Sequence, residues 1–326
     1  MALRIGFLSV AHMHAWGYVH GFGKHPDCEL VGVYDDDAER RAKFAASNNL
    51  QECESPEALL QAVDAVSICS VNKEHAQWVE LAAKHGKPAI CEKPLITTTE
   101  EGERFDRAMA LPGFKLMTAF PCRYSPSYQK LRERVKAGEI GTVRAICATN
   151  RGSCPFGWFV ETDKSGGGAM IDHVVHVTDL MRDLLGEEVV RVQAQIGNNM
   201  YGQAWDDTAM LTLEFASGIF ATLDSSWSRY KNYKTWGDVT MNVVGDAGMI
   251  ELDMFGQQLD YYRETSPTHA LAGYGSDLDA GLVNDFVDYV LHDKTPRVSG
   301  FDGLQASRVA IAGYESVRTG QPVALA

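Results

Sequence analysis

Short apolar runs alternate with amphipathic stretches through the first third of the chain. Leu3–Ser9, Glu29–Tyr34, Ala65–Cys69, Pro88–Cys91 and Lys115–Ala119 read as strands. Between them His12–Lys24, Asp37–Ser47, Ser55–Gln61, Glu74–His85 and Thr98–Ala110 read as helices, several with a capping residue at the start. Strand–helix repetition at this spacing predicts a parallel sheet wound on both faces. Such a sheet takes its ligands beyond the carboxyl ends of the strands, at a topological switch point.

After Phe120 the pattern changes. A helix over Tyr124–Lys136 and a strand over Thr142–Thr149 precede Gly166-Gly167-Gly168 and a helix over Gly168–Leu185. Strands follow at Glu188–Ile196, Thr208–Phe215, Ile219–Trp227, Thr235–Val244 and Met249–Leu252, with turn signals such as Ser217-Gly218 between them. Short connections between consecutive strands predict a mostly antiparallel sheet. Helices over Asp277–His292 and Phe301–Thr319 close the chain. The expectation is a doubly wound α/β domain over residues 1–121, followed by an α+β domain over 122–326.

Composition narrows the partners. Of 326 residues, 45% are hydrophobic and 22% charged, which is globular composition and excludes a disordered chain. The net charge of −13 argues against nucleic acid or an anionic membrane as partner. No apolar run reaches the ~18 residues of a membrane span, and Met1–Val10 reads as a first buried strand instead of a signal peptide. Seven cysteines with no C-x-x-C spacing fit reduced thiols and a cytoplasmic protein.

The first strand ends where a dinucleotide-binding G-x-G-x-x-G would fall, but the residues are Ser9-Val10-Ala11-His12-Met13-His14. Ser9, Ala11 and His14 replace the three glycines, which serve the tight turn, the approach of pyrophosphate and helix–strand packing. The helix N-terminus still offers N–H groups to an anion, and His12 and His14 add donors there. Asp35 ends the second strand, 21 residues beyond His14, near the spacing of a carboxylate that accepts hydrogen bonds from an adenosine ribose. Asp35-Asp36-Asp37 would repel a 2′-phosphate, so NAD is favoured over NADP. Two further strand ends are polar: Ser70-Val71-Asn72-Lys73-Glu74-His75 and Glu92-Lys93-Pro94. A lysine held there suits the stabilisation of an alkoxide.

On the helix after the glycines, Asp172, His176 and Asp179 fall at i, i+4 and i+7 and form one polar stripe on a mostly apolar surface. The stripe is either a satisfied buried network or an acid/base pair facing a cleft, with His176 as base and Asp172 orienting it. His173 and His176 lack the H-E-x-x-H spacing, and no metal is assigned.

These residues, in this order, resemble the Gfo/Idh/MocA oxidoreductases. The matching pieces are Asp35, Asn72 with His75, Glu92-Lys93-Pro94, Arg123 with Pro126, the triple glycine, and Asp172-x-x-x-His176 with Asp179. The tail Phe286…Pro296…Ser299-Gly300 and Gly320-Gln-Pro-Val323 adds to the set. The resemblance implies a Rossmann domain and a second domain with an open-faced sheet, buried in a homodimer or homotetramer. It also implies that Lys93 and His176 flank a hydroxyl that loses hydride to NAD, with Asp172 beside them. Glu92 would contact the nicotinamide ribose, and Ser70, Asn72 and His75 the cofactor; Arg123, Trp158 and His173 are read as substrate contacts. A cis Lys93–Pro94 bond is expected. The expected activity is oxidation of a secondary alcohol in a sugar, anhydro-sugar or cyclitol. Alternatives are a relative that recycles its NAD while cleaving a sugar bond, and a non-catalytic NAD- or sugar-binding regulator.

Overall fold

Seven of the eight residues of β1 (Leu3–Val10) are buried, as the central strand of a sheet covered on both faces requires. The computed structural model describes residues 2–261, 264, 270–273 and 275–325, and the chain divides into two units. The first comprises Met1–Pro121, Gly157–Gly166 and Asp279–Ile311, and the second Cys122–Phe156, Gly167–Leu278 and Ala312–Ala326.

In the first unit β1 is joined by β2 (Cys28–Tyr34), β3 (Gln51–Glu52), β4 (Ala65–Cys69), β5 (Ala89–Cys91) and β6 (Leu116–Thr118). All pairings are parallel and the order is β3-β2-β1-β4-β5-β6, so the winding direction reverses between β1 and β4. Helices α1 (Ala15–Lys24), α2 (Ala38–Asn48), α3 (Pro56–Ala62), α4 (His75–Lys84) and α5 (Thr99–Met109) make the crossovers. The starts of α2, α3 and α5 follow from side-chain caps: Asp37 accepts from the Glu39 and Arg40 amides, Ser55 from the Ala58 amide, and Thr98 forms a capping box with Glu101. The start of α1 differs from expectation. Residues 12–14 form a turn because the His12 amide donates to Cys69 O, which places the first helical residue at Ala15.

Later chain completes this unit. Phe286, on α9 (Leu278–His292), packs edge-on to Phe22 with ring centroids 6.0 Å apart. Ser307, on α10 (Gly300–Thr319), accepts from the Leu95 amide at 3.1 Å. The short α7 (Thr162–Ser165) and the 3₁₀ turn before it also belong here; sequence patterning gives no sign of either.

The second unit is built on β7 (Val143–Gly152), β8 (Val189–Gly197), β9 (Thr208–Phe215), β10 (Phe220–Ser226), β11 (Gly237–Gly245) and β12 (Met249–Asp253). With β15 (Val323–Ala324) they form a sheet ordered β12-β11-β7-β10-β9-β8-β15. The β7–β10 pair is parallel and the others antiparallel. A separate hairpin pairs β13 (Gln258–Tyr261) with β14 (Ala270–Gly273). Strands β9 and β10 alternate buried and exposed positions, so one face is covered and the other carries Met210 and Phe220 at 55% and 52% exposure.

The covering element is α8 (Ala169–Leu185), buried at 14 of its 17 positions. Its first turn is capped from a distance by Asp206, which accepts from the Gly168 amide at 2.9 Å and the Met170 amide at 2.8 Å. A Cβ at Gly168 would lie 2.0 Å from Asp206 O, and one at Gly167 2.1 Å from the Tyr314 hydroxyl. Glycine stands there because two other segments occupy the space of a side chain.

Farther along α8, Asp179 is fully buried and accepts a forked pair from Arg123, at 2.7 Å from Nε and 2.6 Å from the second nitrogen. Asp183 takes Arg123, Arg132 and the Tyr128 hydroxyl. Arg123 was expected to touch substrate; the structure seals its guanidinium into this network between the chain just before α6 (Pro126–Lys136) and α8. Removing one side of a buried pair strands the other charge, so Arg123→Met should lower the urea-unfolding free energy by about 3–5 kcal/mol. A loss below about 1 kcal/mol would show the pair to be solvated.

Candidate active site

The rim of the first sheet is organised by sealed carboxylates. Ser9, in the first glycine slot, adopts φ of 65°, the left-handed turn that a glycine would take freely. Its hydroxyl donates to Asp35 Oδ2 at 3.2 Å and the next amide, Val10 N, donates to the same oxygen at 2.7 Å. These contacts hold a serine in backbone geometry it otherwise avoids. Asp35, fully buried at the end of β2, also accepts from Asp37 N and from Arg40, at 2.9 Å from Nε and 2.6 Å from the terminal nitrogen. Arg40 was not singled out from the sequence; its place one turn into α2, five residues after Asp35, is the signal that could have found it.

Glu92, at the end of β5, is the second such group. His14 Nδ1 lies 3.1 Å from its Oε1 and His12 Nε2 3.8 Å from Oε2, and the Lys93 amide donates to Oε2 at 3.2 Å. Burial alone would push the Glu92 carboxyl up, but His12, His14 and Lys93 together hold it well below the usual carboxylate range. His14, in the third glycine slot, turns its partly exposed ring onto Glu92, so it does not have to fit between helix and sheet.

The His12 and His14 nitrogens and the Glu92 carboxylate lie within 4.8 Å of one another, a donor set able to hold a metal ion. However, the His14 amide donates to His12 Nδ1 at 3.1 Å. A neutral His12 therefore carries its proton on Nε2, the atom a metal would need, and the arrangement suits donation to an anion better.

The other residues expected at this rim fall into two groups. Lys93 follows Glu92 with only 4% exposure, and the Lys93–Pro94 peptide is cis. His75 is fully buried and donates from Nδ1 to Pro94 O at 2.8 Å, so it holds the lysine turn from behind. Burial, its largest influence, brings its pKa down to about 4. Asn72 donates to Ser165 O at 2.8 Å and Ser70 to Val71 O at 3.1 Å. Trp158, read as a substrate contact, instead donates from Nε1 to Ala11 O at 3.1 Å and stacks on Phe159, with both rings against His12. It thus braces the β1 loop from a segment more than a hundred residues away.

Burial works against a charged His14, but the facing Glu92 outweighs it through charge and hydrogen bond and raises the His14 pKa above its ordinary value. The stabilisation is complete only above about pH 4.5, where an unfolded glutamate is ionised, and below about pH 6.5, where unfolded histidine is protonated. It fades as pH rises through the raised value of His14. The excess unfolding free energy of the wild type over His14→Gln should peak at about pH 5.5 and shrink by about pH 9. A difference that does not change with pH would refute the pairing.

In the second unit α8 carries Asp172 and His176 one turn apart, Asp172 buried and His176 half-buried. Asp172 Oδ2 accepts from Trp227 Nε1 at 3.1 Å and lies 3.2 Å from His173 Nε2. His173 is buried, with Nδ1 3.0 Å from Asn150 O on β7. The stripe foreseen on this helix therefore divides: Asp179 serves the Arg123 network, and Asp172 a separate cluster with His173 and Trp227. Neither Asn150 nor Trp227 was expected, since Asn150 reaches the cluster from β7 and Trp227 from the residue after β10.

Comparison with known proteins identifies the family of the fold. Residues 5–120 match the family model described as an oxidoreductase family with an NAD-binding Rossmann fold, and residues 128–251 match the Gfo/Idh/MocA C-terminal domain. The chain is 30% identical over 316 residues to inositol 2-dehydrogenase 3 of Saccharopolyspora erythraea, covering 91% of this chain and 88% of that protein. It is 29% identical to the NAD-dependent scyllo-inositol 2-dehydrogenase of Bacillus subtilis, covering 92% and 90%. In fold it is similar to GenD2 from gentamicin A biosynthesis, solved with NAD, at a TM-score of 0.89 and 22% identity over 100% of this chain and 97% of that one. Among the described residues no helix is long and apolar enough to cross a membrane. The chain belongs to the Gfo/Idh/MocA family of oxidoreductases, enzymes acting on CH–OH groups with an NAD-binding Rossmann domain.

Proposed function

We propose that this protein oxidises a secondary alcohol of a cyclitol or sugar, with Lys93 and His176 acting on the reacting hydroxyl. The observation that carries the reading is Lys93 itself: a lysine with 4% exposure at the carboxyl rim of an NAD-binding sheet. Lysine is seldom buried to that degree, and this one stands where a sheet of this kind takes its ligand. The names of the inositol dehydrogenases it resembles favour a polyhydroxylated ring as substrate.

The first unit fits a dinucleotide. Ser9 keeps the left-handed turn, and the rings of His12 and His14 are the donors nearest this loop for the pyrophosphate, since the amides of Ala15, Trp16 and Tyr18 already donate to backbone carbonyls. Asp35 is the acceptor for the adenosine ribose. Five hydrogen bonds already engage its carboxylate, and Arg40, whose side chain is 39% exposed, is the partner able to give way. Glu92 takes a hydroxyl of the nicotinamide ribose, and Asn72, its amide nitrogen spent on Ser165, turns its oxygen to the cofactor. NAD, when bound, supplies the hydride acceptor. His176 takes the proton of the substrate hydroxyl, Lys93 stabilises the developing alkoxide, and Asp172 orients the base. The exposed sheet face with Met210 and Phe220 is read as the surface that a second copy of the chain covers.

NAD binding followed by protein fluorescence, then a screen of cyclitols and sugars for reduced nicotinamide, tests the reading directly. Lys93→Met and His176→Gln should each lower kcat/KM by about 10²–10⁴-fold and leave NAD affinity within a few-fold of wild type. Full turnover by either variant would overturn its assignment. Met210→Glu should lower the mass of the assembly in analytical ultracentrifugation, and an unchanged mass would exclude this face as the interface.

A further inference from the structure

Asp35 has no lone pair to spare. Ser9 Oγ, Val10 N and Arg40 Nε donate to its Oδ2 at 3.2, 2.7 and 2.9 Å. Asp37 N and a terminal nitrogen of Arg40 donate to its Oδ1 at 2.9 and 2.6 Å. A carboxylate offers about four lone-pair sites, so these donors saturate it. A ribose hydroxyl that donates to Asp35 must therefore take the place of a donor already there. Three of them are poorly placed to leave. Val10 and Asp37 give backbone amides, and Ser9 is sealed in its left-handed turn. The Arg40 fork differs, because its side chain is 39% exposed while that of Asp35 is closed to solvent. Arg40 is also the third residue of α2, at the helix end where a cation is least welcome. A second carboxylate stands ready for it. Asp37 caps α2 through Oδ1, and its Oδ2 lies 3.7 Å from Arg40 Nη1 on a half-exposed side chain. Asp35 does not need Arg40 to keep its place. Arg41 donates from Nη1 to the Asp35 carbonyl oxygen at 2.9 Å, with its guanidinium 5.9 Å from the centre of the Tyr34 ring.

We propose that Arg40 is a latch on the adenosine end of the cofactor site. Its fork fills the acceptor positions of Asp35 that the ribose hydroxyls of NAD require, and NAD binds by displacing it towards Asp37. Arg40 is a positioning residue that acts on the cofactor through Asp35, and the proposal rests on the reading of Asp35 as the ribose acceptor. The exchange is balanced: two N–H donors leave the carboxylate, two ribose O–H donors replace them, and the guanidinium keeps an anionic partner. Breaking the fork opposes binding, so NAD is held less tightly than an unlatched Asp35 would hold it. Looser holding suits an enzyme that exchanges its cofactor at each turnover, and it opposes the alternative of one that keeps and recycles its NAD.

Isothermal titration calorimetry of the full chain with NAD, and with ADP-ribose, which carries the same adenosine end, tests the latch. Arg40→Met should lower the Kd for both ligands by about 3–10-fold. Without ligand the same variant should unfold at a lower urea concentration, because Asp35 loses its counter-charge. A merely structural role for Arg40 would weaken stability and NAD binding together, whereas the latch weakens the first and strengthens the second. An unchanged or raised Kd in Arg40→Met overturns the proposal. Should that variant fail to fold, Arg40→Lys decides, since lysine keeps the charge but cannot make the fork. Its Kd should fall by a smaller factor, and an unchanged or raised value overturns the proposal equally. Failure of the underlying reading shows separately: Asp35→Asn binding NAD as tightly as the wild type would show that Asp35 does not take the ribose, whatever Arg40→Met does.

Discussion

A carboxylate shut away from water stays ionised only where positive charge and hydrogen-bond donors meet it, and Glu92 is where the first unit depends on this condition. One side chain at the end of β5 draws on His12 at the end of β1, His14 at the start of α1, and the amide and charge of Lys93. The family's glycine loop works by absence, clearing room so that backbone amides can approach a phosphate. Here the same loop is filled with imidazoles, and Glu92 holds them in place. Asp35 does the corresponding work one strand over, keeping Ser9 in a backbone conformation that a serine would otherwise leave.

The second unit shows the same economy on one helix. Three of the acidic groups that meet α8 are each answered differently. Asp206 caps its free amides, Asp179 receives the fork of Arg123, and Asp172 meets an indole and an imidazole. The first two solutions use up the carboxylate in holding the fold. The third leaves it one turn from His176, which is half-buried instead of sealed.

Elements set by periodicity were legible from the residues alone. The apolar run of β4 was bounded as observed, and the capped starts of α2, α3 and α5 fell within a residue of their positions. Segments without periodicity were not: the two-residue strands β3 and β15 and the turn that delays α1 are decided by hydrogen bonds to distant partners. For the site, the identity of the polar residues was visible but their engagement was not. Arg123 and Trp158 look like ligand contacts in one dimension, because nothing in the sequence shows that Asp179 and Ala11 O already claim them. Arg40, Asn150 and Trp227 were invisible for the complementary reason, each being an ordinary residue made relevant by a neighbour that the fold supplies.

The first unit needs chain from three places. Asn72 waits for Ser165, Ala11 for Trp158, Leu95 for Ser307 and Phe22 for Phe286. During synthesis its six strands leave the ribosome first, yet its last packing partners follow about 190 residues later. At ordinary translation rates that gap is on the order of 10–40 s. For that interval the nascent sheet has an uncovered apolar flank beside Phe22 and Leu95, and the second unit's chain emerges in its presence. Of the two units the one begun earlier is thus finished late, with apolar surface open to wrong contacts until its closing helices arrive.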